Sequence, residues 1–159
     1  MPTADHYFLD QYLPYVLRRA DQTLSAPFYG VLTEYGIARS EWRLLAVLFD
    51  LGEMSVLDLA AASLSPQPTV THALRRLEKK KLVTRTPGVD DKRQRIVAIT
   101  NAGKDLTKTL VSHAQRLETE ALASAGDLTE LVDELRRLTA KIEQSQARSS
   151  TADTPLSAT

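Results

Sequence analysis

The chain has 159 residues, 43% of them hydrophobic and 25% charged, enough apolar content for one domain with its own core. Twenty basic residues balance twenty acidic ones, so any affinity for nucleic acid must come from charge segregated along the chain. There is no cysteine, which excludes disulfides, a thiolate metal site and a thiol redox sensor.

Other classes fall away as quickly. His6, His72 and His113 have no ligand-like spacing, so no metal or other cofactor is expected. The first residues carry neither a basic n-region nor an apolar core, and no apolar run nears the ~20 residues needed to cross a bilayer. A cytoplasmic protein without a membrane partner is expected. No Gly-rich phosphate loop, G-x-S-x-G or H-E-x-x-H signature occurs, so no enzyme activity is expected.

Residues 5–35 read as helix. Leu9, Leu13, Val16, Leu17, Ala20, Leu24, Phe28, Val31, Leu32 and Tyr35 recur at spacings of three and four. Asp10 is the candidate cap, which leaves Pro14 near the first turn, and Pro27 predicts a bend around 23–27. The segment is apolar over a wider arc than one buried stripe requires. Ser40 reads as the cap of a second helix from Glu41 to about Leu51, stopped by Gly52. Ser55-Val56-Leu57-Asp58 opens a short third helix to about Ser63.

Ser65-Pro66 predicts the start of a fourth helix, with Ser65 as cap and Pro66 at the first helical position. Val70, Ala73, Leu74 and Leu77 share its apolar face; Pro68, Thr69, His72, Arg75, Arg76 and Lys79 share the opposite one. Residues 82–86 form a short strand. Pro87-Gly88 is turn chemistry, Asp90-Asp91-Lys92-Arg93-Gln94 a charged tip, and residues 95–100 a β-branched return strand. A basic helix followed at once by a basic hairpin is the layout of a winged helix-turn-helix.

Beyond the hairpin, residues 100–103 cap a fifth helix with a stripe of Leu106, Leu110, Val111, Ala114, Leu117 and Ala121. Asp127-Leu128-Thr129-Glu130 opens a sixth, with Leu128, Leu131, Leu135, Leu138 and Ile142 along it. A long terminal helix with so little domain behind it is most simply covered by a second copy of the chain. Residues 148–159 are small, polar and patternless, and a flexible tail is expected there. The expected fold is mainly α with a small β-hairpin. It forms one domain over 1–147, with a DNA-binding lobe at about 40–100 and dimerisation helices at about 5–35 and 101–147.

Residues 65–95 hold nine Lys/Arg against three Asp/Glu, a local excess of +6 that the other 128 residues cancel. Basic side chains on one helix face and on a loop tip suit a phosphate backbone. Double-stranded DNA is therefore the expected partner, met by Ser65, Gln67, Pro68, Thr69, Thr71, His72, Arg75, Arg76 and Lys79 of the helix. From the hairpin, Arg85, Asp91, Lys92, Arg93 and Arg95 would join them. The alternative is a winged-helix module that binds another protein, with its basic face merely solvated. The two differ in salt dependence.

Asp91-Lys92-Arg93, followed by Ile99-Thr100, resembles the wing signature D-x-R-x-x-x-x-x-L-T of the MarR family of bacterial transcription factors, with Ile99 in place of Leu. Thr71 and Arg76-Leu77-Glu78 are similar to that family's recognition helix, and the likeness covers roughly residues 9–145. It implies a homodimer on a pseudo-palindromic operator, with repression relieved by a small ligand, often aromatic. One departure is Lys81, where such chains usually carry Gly. Lys81 must adopt a left-handed conformation under strain or end the helix differently.

Arg43 follows Trp42 in an otherwise apolar helix, and a guanidinium in apolar company needs an anion or a route to water. Glu41 or Asp10 could pair with it, or it could snorkel outward. Family members that sense aromatic acids tend to show a stretch similar to Glu41-Trp42-Arg43. The resemblance thus implies an aromatic carboxylate effector, forked by Arg43 with help from Arg18 or Arg19 and enclosed by Trp42, Phe28, Tyr35 and His113.

Overall fold

A computed structural model describes residues 8–89 and 93–152 of the chain. Two compact units are resolved, one up to Ala121 and one from Leu122. The expected tail beyond 152, and Asp91 and Lys92 of the wing tip, lie outside the described residues. No described helix is long and apolar enough to cross a membrane.

The first unit begins with a break that the sequence reading did not place. Helix α1 spans Phe8–Gln11 and α2 spans Leu13–Glu34. Tyr12 between them is extended and caps α2 in place of Asp10. Pro14 sits in the first turn, where its missing N–H has no helical acceptor to lose. Helix α2 runs without interruption through Pro27, where a bend was expected.

Helix α3 spans Arg39–Leu51. Its cap is Ala38, two residues ahead of the expected Ser40, and the Glu41 carboxylate accepts the Ala38 N–H at 2.7 Å. A two-residue strand β1, Met54–Ser55, precedes α4, Val56–Ala62. The Ser55 hydroxyl accepts the Asp58 N–H at 3.1 Å, the cap read from the sequence. Helix α5 spans Gln67–Lys79, followed by β2, Val83–Pro87, and β3, Arg95–Ile99. The sheet is antiparallel in the order β1-β3-β2, with Met54 opposite Val97 and Val83 opposite Ile99. Strand β1 makes the expected hairpin a three-stranded sheet; two residues are too few to show a period of two.

The core lies where these elements converge. Leu32, Leu44, Leu45, Leu48, Leu59, Val70, Leu74, Leu77, Val97 and Leu110 are fully buried. Helix α6, Asn101–Leu122, locks onto the sheet through Thr100. The Thr100 hydroxyl donates to the Lys81 carbonyl at 2.8 Å and accepts the Gly103 N–H at 3.0 Å. The second unit holds α7, Thr129–Ala152. Asp127 accepts the Thr129 N–H at 2.9 Å and hydroxyl at 2.6 Å, and these bonds hold its carboxyl below the usual range. Helix α7 continues to Ala152, so residues 148–152, read as the start of a tail, are helical.

Candidate nucleic-acid interface and effector cavity

Helix α5 carries the candidate interface. Its buried side is Val70, Ala73, Leu74 and Leu77, as the periodicity predicts. Gln67, Pro68, Thr69, His72, Arg75, Arg76 and Lys79 are exposed on the other side, and Thr71 is half-buried with its hydroxyl on the Gln67 carbonyl at 3.0 Å. The helix starts one residue later than expected. Ser65 does not cap it: its hydroxyl points back to the Ser63 carbonyl at 3.0 Å, and Pro66 takes the cap position.

The hairpin stands against the start of this helix. Gln67 of α5 and Arg93, Gln94 and Arg95 of the wing line one cleft of about 360 Å³, with Ser55, Val56, Leu57 and Arg85 at its base. Arg93 and Arg95 are exposed. Arg85 is engaged differently. Its guanidinium donates to the Glu78 carboxylate of α5, and that bond raises its pKa further above the ordinary arginine value. It acts as a strut between β2 and α5.

Arg76 also has a protein partner. Its Nε donates to Glu41 Oε1 at 3.1 Å and its Nη2 to the Ser40 hydroxyl at 3.1 Å. Lys80 Nζ donates to Glu41 Oε2 at 2.8 Å and to the Gly36 carbonyl at 2.6 Å. Glu41 is buried, with its side chain 1% exposed. Burial alone would raise its pKa, but the Lys80 and Ala38 bonds, the Lys80 charge and the Arg76 bond outweigh that and hold it below the ordinary value. The sequence offered Glu41 only as a partner for Arg43. Its real partners lie 35 and 39 residues away, beyond any local pattern.

Arg43 is exposed, not enclosed by apolar side chains. Helix geometry gives the reason. At about 100° per residue, position 43 lies roughly 200° round from Glu41, whereas Leu44, Leu45 and Leu48 lie within about 60° of it. The expected pair with Glu41 is therefore not formed.

A cavity of about 430 Å³ opens between α2, α3 and α6. Phe28 and Trp42 line it, edge to face with ring centroids 4.9 Å apart, together with Leu24, Ala46, Val111 and Leu117. Its charged lining residues are Asp50 and Glu118, which sequence reasoning did not single out. Arg18, Arg19 and Arg43 do not line it. Tyr35 and His113 do not either; they meet each other, hydroxyl to Nε2 at 3.4 Å. Two of the seven expected effector residues are thus brought together on a cavity, two more form a separate pair, and three arginines are exposed on helices α2 and α3.

The comparisons with known proteins agree on the family. A model described as the MarR family matches residues 37–94. The crystal structure of a MarR family transcriptional regulator from Silicibacter pomeroyi DSS-3 is similar with a TM-score of 0.73 and 33% identity, covering 86% of this chain and 98% of that one. The structure of NadR in complex with 4-hydroxyphenylacetate gives a TM-score of 0.72 at 25% identity, covering 89% of this chain and 97% of that one. The homoprotocatechuate degradative operon repressor of Escherichia coli is 25% identical over 122 residues, 75% of this chain and 82% of that protein. With its winged helix and its identity to the Silicibacter regulator over nearly that whole chain, this protein belongs to the MarR family: it is a DNA-binding transcriptional regulator and not an enzyme.

Proposed function

We propose that the protein is a homodimeric repressor of a pseudo-palindromic operator, released by a small aromatic carboxylate. The observation that carries the DNA half of this reading is the shared cleft between the start of α5 and the wing. Gln67, His72 and Arg75 would meet base edges in a major groove, while Arg93 and Arg95 follow the neighbouring backbone or minor groove. Two-fold symmetry requires half-sites about one helical turn apart.

The repressor and effector halves are supported by relatives. The Escherichia coli relative is a repressor of a homoprotocatechuate degradative operon, and NadR was solved with 4-hydroxyphenylacetate. In this chain the ring would enter the cavity against Phe28 and Trp42. Its carboxylate would turn outward, away from Asp50 and Glu118 and towards an arginine such as Arg43, Arg18 or Arg19. Tyr35 and His113 would close the outer side.

Fluorescence anisotropy of labelled duplexes across a salt series tests the DNA half. A protein meeting several phosphates loses affinity steeply with salt, by about 10³-fold or more between 50 and 200 mM for six or more contacts. A salt-independent affinity would instead mark a protein-interaction module. Arg93→Ala is expected to weaken specific and random duplexes alike and to flatten the salt slope by about one unit. Calorimetry with 4-hydroxyphenylacetate on wild type and Arg43→Ala tests the effector half, which falls if the acid does not bind or if the variant binds it equally.

A further inference from the structure

One buried carboxylate ties the DNA-facing helix to the wall of the cavity. Glu41 in the first turn of α3 receives Arg76 from the last turn of α5, Lys80 from the C-cap of α5, and the Ala38 N–H from its own cap. Arg76 also holds Ser40, and Lys80 also holds the Gly36 carbonyl. Four bonds therefore pin the end of α5 to residues 36–41. The next residue is Trp42, whose ring forms part of the cavity wall against Phe28.

Otherwise α3 and α5 contribute apolar side chains such as Leu44, Leu45, Val70 and Leu74 to one buried core cluster. Apolar surfaces attract without direction and permit small sliding movements. A buried carboxylate is different. It cannot be left without its cations at low cost, so Arg76 and Lys80 must follow it when α3 moves. Glu41 and Trp42 share one turn of backbone, so a shift of either reaches the other.

Resting on the DNA-binding reading above, we propose that Glu41 is the positioning residue that couples the recognition helix to the cavity. DNA seated on α5 is felt at Trp42 through Glu41. By linkage, a molecule seated beside Trp42 alters the affinity for DNA by the same factor.

Trp42 is the single tryptophan of the chain, so its emission reports the cavity wall alone. The experiment uses the full-length protein and a duplex that the wild type selects from a random pool. Anisotropy of the labelled duplex gives binding, and Trp42 emission is followed in the same titration. In the wild type, emission is expected to shift on saturation with DNA. Glu41→Gln keeps the side-chain shape and leaves Arg76 and Lys80 free to turn to solvent. It is expected to bind the duplex about tenfold more weakly, within the usual range for coupled sites, and to show no emission shift at saturation. Arg76→Gln combined with Lys80→Gln cuts the same bridge from the α5 side, where both side chains are partly exposed, and is also expected to silence Trp42. This second variant decides the matter if Glu41→Gln does not fold. A wild-type shift preserved in full in both variants overturns the inference, as does wild-type protein that binds DNA with no change at Trp42. Failure to select any duplex overturns the DNA-binding reading and this inference with it.

Discussion

Lys81 has a φ of +59°, the left-handed conformation that a lysine adopts at a cost. The surrounding hydrogen bonds explain why it is held there. The Leu82 N–H bonds the Leu77 carbonyl at 3.0 Å and the Lys81 N–H bonds the Glu78 carbonyl at 2.9 Å, the two bonds of a Schellman ending. Leu77 and Leu82, the apolar pair that accompanies this motif, are both buried. Helix α2 ends in the same way on Gly36, with Leu32 and Ile37 as its buried pair. Helix α4 ends so on Leu64, at φ +52° and 88% exposed. Lys81→Gly is therefore expected to stabilise the fold by about 1 kcal/mol, and Leu64→Gly by a similar amount. Chemical denaturation of each variant checks this, and an unchanged midpoint with an unchanged slope would refute it. The opposite sign holds at Gly103. A Cβ there would overlap the Leu82 carbonyl oxygen and come within 2.7 Å of Ile99 Cγ1. Gly103→Ala is expected to cost about 1–3 kcal/mol, because the obstacle is backbone and cannot rotate away.

At the scale of elements, the helices and the hairpin were legible where their signals are local. The apolar face of α5 and the Ser55 cap each rest on residues close in sequence. The turn expected at Pro87-Gly88 is not there: Pro87 is the last residue of β2, opposite Arg95, and the Gly88 N–H still bonds the Gln94 carbonyl at 2.9 Å, so the hairpin turns further on. The start of α5 was misread because Ser65 has a competing carbonyl at Ser63, which no propensity reveals. The carboxylate partners of Arg76 and Arg85 are not legible in the sequence, because a basic residue on a helix or strand shows no sign of an acid that lies across the fold. The Glu41 bridge carries its own consequence for how the elements hold together. Its carboxyl is held below the ordinary value near 4.5, so it binds fewer protons folded than unfolded. A group of this kind contributes stability that is present above its unfolded value and lost as pH falls through the folded one. Denaturation midpoints are thus expected to fall as pH drops below about 4.5, and Glu41→Gln is expected to lessen that fall. Parallel pH profiles for the two proteins would show that the bridge adds nothing.

At the scale of the whole molecule, the outstanding feature is apolar surface that one chain leaves uncovered. Phe8 is 71% exposed, and Leu9, Tyr12, Leu13 and Val16 are each more than two-fifths exposed. In α7, Leu131, Val132, Leu138 and Ile142 are exposed, and no described side chain of that 24-residue helix is buried. Leu131, Leu135, Leu138 and Ile142 are spaced by four, three and four, the seam of a helix that packs along another helix. A solitary helix with such a stripe gains little from the hydrophobic effect and would fray in water. A second copy supplies a matching stripe at no cost in new sequence, because a two-fold axis sets each surface against itself. Light scattering at micromolar concentration is therefore expected to give about twice the chain mass of 17.6 kDa. Leu131→Asp combined with Leu135→Asp places charge in the seam, where it must be desolvated without a partner. That variant is expected to be monomeric or to melt at a concentration-independent and lower temperature, and to lose operator affinity, since two half-sites then bind separately. A wild-type mass near that of one chain, or a double variant that keeps the dimer mass, would refute the dimer.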